Sequence, residues 1–409
     1  MLFDWRRYFQ LLRGRPAGPG LRARPIVLSL FALFELFTAL CLLIDDVLFR
    51  GWRRAELRAP VFVIGNPRSG TTILHRVMAR DEDNFFFFRT WQIMFPAVVQ
   101  KTALAGVGRV DRWLGSPLRR LIARVEGRHL DDFGRLHELG LFKPEEDHTV
   151  LVHVLRSPDL ALLFPGEGFD ILARFDVETP APARRAAIEF YTRCARRQAF
   201  WAGGRRVLLS KSPWHSGRVE SLAQQFPDCR FVYLVRNPLD VVASVISLLR
   251  AIVRETSGVD PRSAFDESAY ETVKFFYADP LARLAALPAE RVAFVKYDDL
   301  MREPEQVIER IYRQLGLPLT TRFRERLAEE VAKMRQHTSR HRYSLDQCSV
   351  ARERIISDLR PIFDRFGFDT RAASVAPLEA GVASNGRPGE VAPRPAPSHG
   401  TPGSADSGG

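Results

Sequence analysis

Val61-Phe62-Val63-Ile64-Gly65-Asn66-Pro67-Arg68-Ser69-Gly70-Thr71-Thr72 is the stretch that decides how this chain is read. An apolar strand ends in Gly65, a polar loop turns at Gly70, and Thr71-Thr72 open the helical pattern Ile73, Leu74, Val77, Met78. The spacing from Gly65 to Thr72 is that of G-x-x-x-x-G-K-[ST], with Thr71 where a nucleoside-triphosphate loop has its lysine. Backbone N–H groups at a strand-to-helix turn, with the helix dipole behind them, form an anion site that needs no particular side chain. The absent lysine argues against a nucleotide whose γ-phosphate is transferred. Arg68 supplies a cation inside the loop instead, and its planar fork suits a 5′-phosphate. The loop therefore points to a nucleotide with a short anionic 5′ group.

A second segment runs Arg230-Phe231-Val232-Tyr233-Leu234-Val235-Arg236-Asn237-Pro238-Leu239-Asp240-Val241-Val242-Ala243-Ser244. Its continuous apolar run reads as a strand buried on both faces, hence a central parallel strand. Asn237 followed by Pro238 is an N-cap and first helical position, so a helix starts directly after the strand. Arg236 then stands at the carboxyl end of a strand, where ligands bind in open α/β sheets, with Ser244 early in the next helix. An arginine and a hydroxyl at that edge suit one further phosphate. No magnesium ligand is evident, because this strand ends in Arg236 where a nucleoside triphosphatase commonly supplies an aspartate.

Together the two segments resemble the sulfotransferase family, whose sulfuryl donor is 3′-phosphoadenosine 5′-phosphosulfate (PAPS). Pro67-Arg68-Ser69-Gly70-Thr71-Thr72 is similar to the family's 5′-phosphosulfate loop, and Arg236 with Ser244 to its 3′-phosphate motif. Matching features extend from about Val61 to about Phe368 and suggest the bacterial-type subgroup. They include Lys211-Ser212-Pro213-Trp214-His215, Tyr297-Asp298-Asp299-Leu300, Ile311-Tyr312-Arg313-Gln314-Leu315-Gly316-Leu317-Pro318 and His341-Arg342-Tyr343-Ser344-Leu345. The resemblance implies an α/β three-layer sandwich with a central parallel sheet and a P-loop-like turn. It also implies metal-independent in-line sulfuryl transfer, PAPS as co-substrate, and a hydroxyl or amine acceptor. Arg68, Ser69, Gly70, Thr71, Thr72, Arg236, Ser244 and Tyr297 are the expected nucleotide contacts, with Arg340 and Arg342 closing over it.

Lys211 matches the family's lysine near the leaving group. The acceptor proton needs a base, usually a positioned His or Glu. His215 is the first candidate, although soluble members place their histidine two residues after the lysine, where this chain has Pro213. Relatives that use a glutamate place it where this chain has Gln92, which cannot act as a base. Glu146, within Glu145-Glu146-Asp147, is the second candidate.

The 409 residues carry a net charge of +12, mostly from arginine. A basic balance suits nucleic acid, an anionic membrane or an anionic small substrate. Here the charge is dispersed without aromatic interleaving, which disfavours nucleic acid. Cys41, Cys194, Cys229 and Cys348 lack metal-ligand spacing and are too few for a disulfide scaffold, so reduced thiols are expected. None of the four asparagines begins an Asn-x-Ser/Thr acceptor.

Residues 1–58 differ in character from the sulfotransferase-like 59–370. Arg6, Arg7, Arg13, Arg15, Arg22 and Arg24 precede Ile26 to Ile44, nineteen apolar residues interrupted by Glu35. That length just reaches across a bilayer. Ser29, Ala32, Glu35 and Ala39 recur at helical spacing, which fits a docked or interfacial helix equally well. Asp45-Asp46 stand where a signal peptide would need small residues for cleavage. A cytoplasmic, membrane-associated enzyme is the favoured reading, with a single span kept open. Phe85 to Phe88 suit either core or the lining of an apolar pocket, and Leu104 to Arg128 alternate apolar and basic residues at helical spacing like an amphipathic cap or a membrane-facing surface. These segments suggest an apolar or lipid-like acceptor, within the broader class of small-molecule, lipid or carbohydrate acceptors expected of such an enzyme. Residues 371–409, rich in Ala, Pro, Gly and Ser, read as disordered. A P-loop kinase and a non-catalytic membrane-surface protein are the competing classes.

Overall fold

The computed structural model describes residues 8–9, 24–133, 140–160, 172–257, 263–336 and 348–371. Five parallel strands form one sheet in the order β2-β3-β1-β4-β5: β1 Val61–Gly65, β2 Phe85–Phe86, β3 Val207–Lys211, β4 Arg230–Val235 and β5 Val292–Lys296. The helices of eight residues or more are α1 Arg24–Leu48, α2 Thr71–Met78, α3 Val98–Trp113, α4 Pro117–Phe133 and α5 Ala181–Ala202. After them come α6 Pro238–Ser257, α7 Ser263–Leu284, α8 Pro304–Gln314 and α9 Thr321–Gln336.

Side chains alternate across a strand, and both faces of this sheet are covered. Phe62 and Ile64 of β1, with Phe231 and Tyr233 of β4, enter one core with Tyr191 of α5, Val242 of α6 and Val273 of α7. Val61 and Val63, with Val232 and Leu234, enter the opposite core with Leu74 of α2, Ile308 of α8 and Phe323 of α9. This is the expected three-layer arrangement. Asn237 caps α6 as its sequence indicates, its Oδ1 accepting from the Leu239 amide at 3.0 Å.

All five strands run the same way, so Gly65, Lys211, Arg236 and Tyr297 arrive at one edge. Strands after β1 are added on one side and strands after β4 on the other, which opens the ligand crevice of such sheets between β1 and β4.

Phe85 to Phe88 do not line a pocket. Phe85 and Phe86 pair with Val207 and Leu208 as the edge strand β2, and all four rings are buried. The four cysteines are free thiols, with Cys348 the least buried.

Helix α1 packs along α3 and α5 with an unusual polarity. Its inward side carries Glu35, Thr38 and Asp45 together with Leu28, Cys41 and Leu42. Asp45 is fully buried; it accepts from the Val98 and Val99 amides at 2.7 and 2.9 Å and pairs with Arg197 Nε at 2.9 Å. The Arg197 guanidinium also stacks on Trp52, 3.7 Å from the ring centroid. Glu35 meets His153 Nδ1 at 2.9 Å.

The end of β1 leaves no room for a side chain. Gly65 has φ +142°, and a Cβ there would lie 2.3 Å from the carbonyl oxygen of Leu234. Gly65→Ala is therefore expected to cost roughly 2–4 kcal/mol from backbone strain and overpacking. Urea unfolding checks this; an unchanged midpoint would show that β1 and β4 can separate freely at their ends.

Candidate functional site

The loop after β1 is held before any ligand arrives. Ser216 Oγ stands 3.1 Å from both the N and the O of Gly65 and can accept from the amide while donating to the carbonyl. Gly70 adopts φ +93°, where a Cβ would meet the Tyr297 ring at 2.7 Å. No side chain caps α2, so its first amides face the loop. The Ser69 hydroxyl is buried with no hydrogen-bond partner. A buried orphan hydroxyl beside the uncapped start of a helix fits the oxygens of an anionic group.

Arg68 takes a left-handed backbone conformation, φ +67°, uncommon for a residue with a long side chain. Two partners across the crevice hold it there. Its Nε donates to Ser244 Oγ on α6 at 3.1 Å, and its carbonyl accepts from Arg236 Nη1 at 3.1 Å. The Arg236 guanidinium lies over the Tyr297 ring, 4.4 Å from its centroid. Tyr277 OH donates to the Arg236 carbonyl at 2.7 Å. Arg68, Arg236, Ser244 and Tyr297, distant in sequence, thus form one cluster between β1 and β4.

Lys211 closes the other side of the loop from the end of β3. Its ammonium donates to Glu146 Oε1 at 2.8 Å and to Thr72 Oγ1 at 3.3 Å, and the side chain is only 2% exposed. Glu146 directly precedes a 3-10 segment, Asp147–Val154, whose His148 lies 3.6 Å from Glu146 Oε2. His148 Nδ1 is 2.9 Å from Ser212 Oγ, and its Nε2 is 3.2 Å from Asp159 Oδ2. Burial alone would raise the Asp159 carboxyl, but His148, Thr149 and Ser157 hold it well below the usual range.

His215 occupies a different place. It is 1% exposed, packs edge-on against Phe62 and Tyr191, and its Nε2 lies 3.3 Å from Asp147 Oδ1. Burial, reinforced by Arg218 and His148, pushes its pKa down to about 4 against the pull of Asp147. Its burial against Phe62, Tyr191 and Asp147 sets it apart from the Lys211–Glu146 pair beside the loop. Tyr191 and Ser210 also donate to Asp147, at 2.6 and 2.9 Å. Gln92 is likewise interior, its Oε1 accepting from the Arg89 amide at 2.8 Å and from Gln198 Nε2 at 3.0 Å.

Arg340 and Arg342 lie outside the described residues. Of the expected set, the structure brings together Arg68, Ser69, Gly70, Thr71, Thr72, Lys211, Glu146, Arg236, Ser244 and Tyr297. It adds His148, Ser216 and Tyr277. His148 follows Glu146 by two residues in the acidic cluster and was the one of the three with a readable signal.

Three cations, Arg68, Lys211 and Arg236, surround amides at a helix start, with one carboxylate beside Lys211. Such an arrangement binds an anionic group, stabilises negative charge growing on it, and can take a proton from an incoming hydroxyl.

Comparison with known proteins bears on the family and the fold. A chain from Mycobacterium bovis named omega-hydroxy-beta-dihydromenaquinone-9 sulfotransferase Stf3 is 26% identical over 328 residues, 79% of each chain. The crystal structure of sulfotransferase STF9 from Mycobacterium avium superposes with a TM-score of 0.64 at 21% identity, covering 80% of this chain and 81% of that one. Sulfotransferase STF1 from Mycobacterium tuberculosis gives the same TM-score at 20% identity, covering 87% and 92%. The profile of the sulfotransferase family matches residues 60–321, from the start of β1 through β5 and α8. With most of its length so matched and a named sulfotransferase among its relatives, the chain belongs to the sulfotransferase family and is an enzyme of that class.

Proposed function

We propose that this enzyme moves a sulfuryl group from PAPS to a hydroxyl on an apolar, lipid-like acceptor, without a metal, at the cytoplasmic face of a membrane. The observation that carries the reading is Lys211, joined to Glu146 and Thr72 at the mouth of a loop that Arg68 ties to Ser244. The orphan Ser69 hydroxyl and the side-chain-free positions 65 and 70 fit a nucleotide backbone approaching closely. Loop amides, Arg68, Thr71 and Thr72 hold the 5′-phosphosulfate, and Arg236 with Ser244 takes the 3′-phosphate while Tyr297 braces Arg236.

In the reaction the acceptor oxygen forms a bond to sulfur as the bridging bond between sulfur and the 5′-phosphate oxygen breaks. The electron pair leaves with adenosine 3′,5′-bisphosphate, and Lys211 stabilises that charge. Glu146 receives the acceptor proton, held in place by Lys211 and by His148. His215 becomes a positioning residue through Asp147 rather than the base. The name of the Mycobacterium bovis relative, a hydroxylated menaquinone sulfotransferase, supports an apolar alcohol as acceptor.

The test is sulfuryl transfer from labelled PAPS to a lipid extract, with a chelator present. Transfer is expected to survive the chelator, and Glu146→Gln is expected to lower kcat by roughly 10²–10⁴ at neutral pH. It should do so without changing the affinity for adenosine 3′,5′-bisphosphate. A preference for ATP, or loss of transfer on chelation, would overturn the reading.

A further inference from the structure

Helix α1 is inside out relative to a soluble protein. Its exposed side includes Ile26, Leu30, Leu33, Phe37, Leu40 and Leu43, each more than half exposed, while Glu35 and Asp45 face the protein. A second apolar strip lies on α3 and α4, which follow α1 through the amides held by Asp45. Val107, Val110, Leu114, Leu118 and Leu121 are exposed there, and Trp113 at the turn between the helices is 84% exposed. Single exposed leucines need no explanation, but two adjoining strips on neighbouring helices do.

Among residues 98–126 the exposed charges around the second strip are all basic. Arg109, Arg112, Arg119, Arg120 and Arg124 are exposed on α3 and α4. The two acids of residues 98–126 are occupied with backbone. Asp111 accepts from the Leu118 amide at 2.7 Å, and Glu126 from the Leu141 amide at 2.8 Å. Apolar strips edged by arginine, with a tryptophan at the tip, match the boundary between anionic headgroups and acyl chains. A second copy of the chain would bring the same arginines together and repel itself.

We propose that the outward side of α1 and the α3–α4 hairpin form one docking surface for an anionic bilayer, on which the protein lies without crossing it. Length alone does not decide between lying and spanning, since α1 has 23 residues apolar enough to cross. The inward side decides. Glu35, Thr38 and Asp45 find partners in His153, Gln100 and Arg197 along the second half of the helix, so a spanning α1 would carry unpaired carboxylates into hydrocarbon. The surface also lies close to the crevice. His153, which holds Glu35, ends a 3-10 segment that starts next to Glu146 and is about 16 Å long. An apolar acceptor then reaches the base with most of its chain still in the bilayer. That last step rests on the role given to Glu146; the docking surface does not.

The full chain is to be sedimented with vesicles of equimolar phosphatidylglycerol and phosphatidylcholine, and with phosphatidylcholine alone. Binding is expected to the anionic vesicles only, with release by high salt or alkaline carbonate. Replacing Arg109, Arg119 and Arg124 with alanine should weaken it by about a hundredfold at low salt. Leu33→Asp with Leu40→Asp should abolish it. Both variants alter exposed positions, and both should keep their affinity for adenosine 3′,5′-bisphosphate, so failure of docking is separable from failure of the catalytic reading. No vesicle binding by the parent chain overturns the proposal. Resistance to carbonate, which marks a span, also overturns it, as does a stable dimer that the leucine variant converts to monomer.

Discussion

Lys211→Ala is expected to lower kcat for sulfuryl transfer by about 10²–10³, with little change in KM for the nucleotide. The size follows from where the ammonium sits. It is almost fully buried, fixed by two hydrogen bonds, and stands at the mouth of the loop. A cation so held costs no reorganisation as charge grows on the leaving oxygen, and only an interaction made in the transition state lowers kcat selectively. Removing it also leaves Glu146 without its closest partner, so thermal unfolding of the variant must be measured beside its rate. Lys211→Arg is the informative companion. It keeps the charge but cannot place it as compactly, and should recover folding more completely than turnover. The outcome that sinks this account is an unchanged kcat with a raised KM, which would make Lys211 a ground-state binding group.

The second large effect is expected at Arg236. Its guanidinium stacks on Tyr297, donates to the Arg68 carbonyl, and lies 3.5 Å from Asp240 Oδ2. Arg236→Ala should weaken adenosine 3′,5′-bisphosphate about a hundredfold, equivalent to about 2.7 kcal/mol at 25 °C. Adenosine 5′-monophosphate should lose much less, so the preference for a 3′-phosphate should nearly disappear. Thermal shifts with the two nucleotides read this directly, because stabilisation tracks the ratio of ligand concentration to Kd. An equal loss for both nucleotides would mean that Arg236 acts only by holding the Arg68 loop. Arg236→Gln, which retains a donor for that carbonyl, separates the two cases.

The clustering of the β1 loop with Arg236 and Ser244 was legible because it depends on short spacing. Gly65 to Thr72 and Arg236 to Ser244 each sit on a strand, a turn and a helix whose apolar patterns are plain, and parallel strands bring such turns to one edge. Glu146 was harder, because it reaches Lys211 from sixty-five residues away through a 3-10 segment with no periodic signature. His215 was over-weighted for the opposite reason. Its closeness to Lys211 in sequence suggested closeness in function, yet the turn after β3 sends it downward onto Asp147. The edge strand β2 was missed because two residues are too short for alternation to show. On α1 the polar side was sought through Ser29, Ala32, Glu35 and Ala39. Only Glu35 of these is buried, since the true inward stripe is set by the partners that Thr38 and Asp45 find on other helices.

The ion pair between Asp45 and Arg197 has a consequence for how the enzyme ages or is trimmed. A cut in the chain ahead of β1 would take away the carboxylates together with Trp52 and the Leu42 carbonyl, the groups that cover the Arg197 guanidinium, and would open that side of α5 to water. Cys41, Leu42 and Trp52 leave the interior with them, and each large buried apolar side chain lost costs about 1.5–3 kcal/mol, a large share of what a protein of this kind has to spare. A proteolytic event that freed the catalytic portion from its apolar helix would therefore yield a short-lived fragment rather than a soluble enzyme. The contacts that fasten α1 to the fold are thus also part of what keeps the catalytic portion folded.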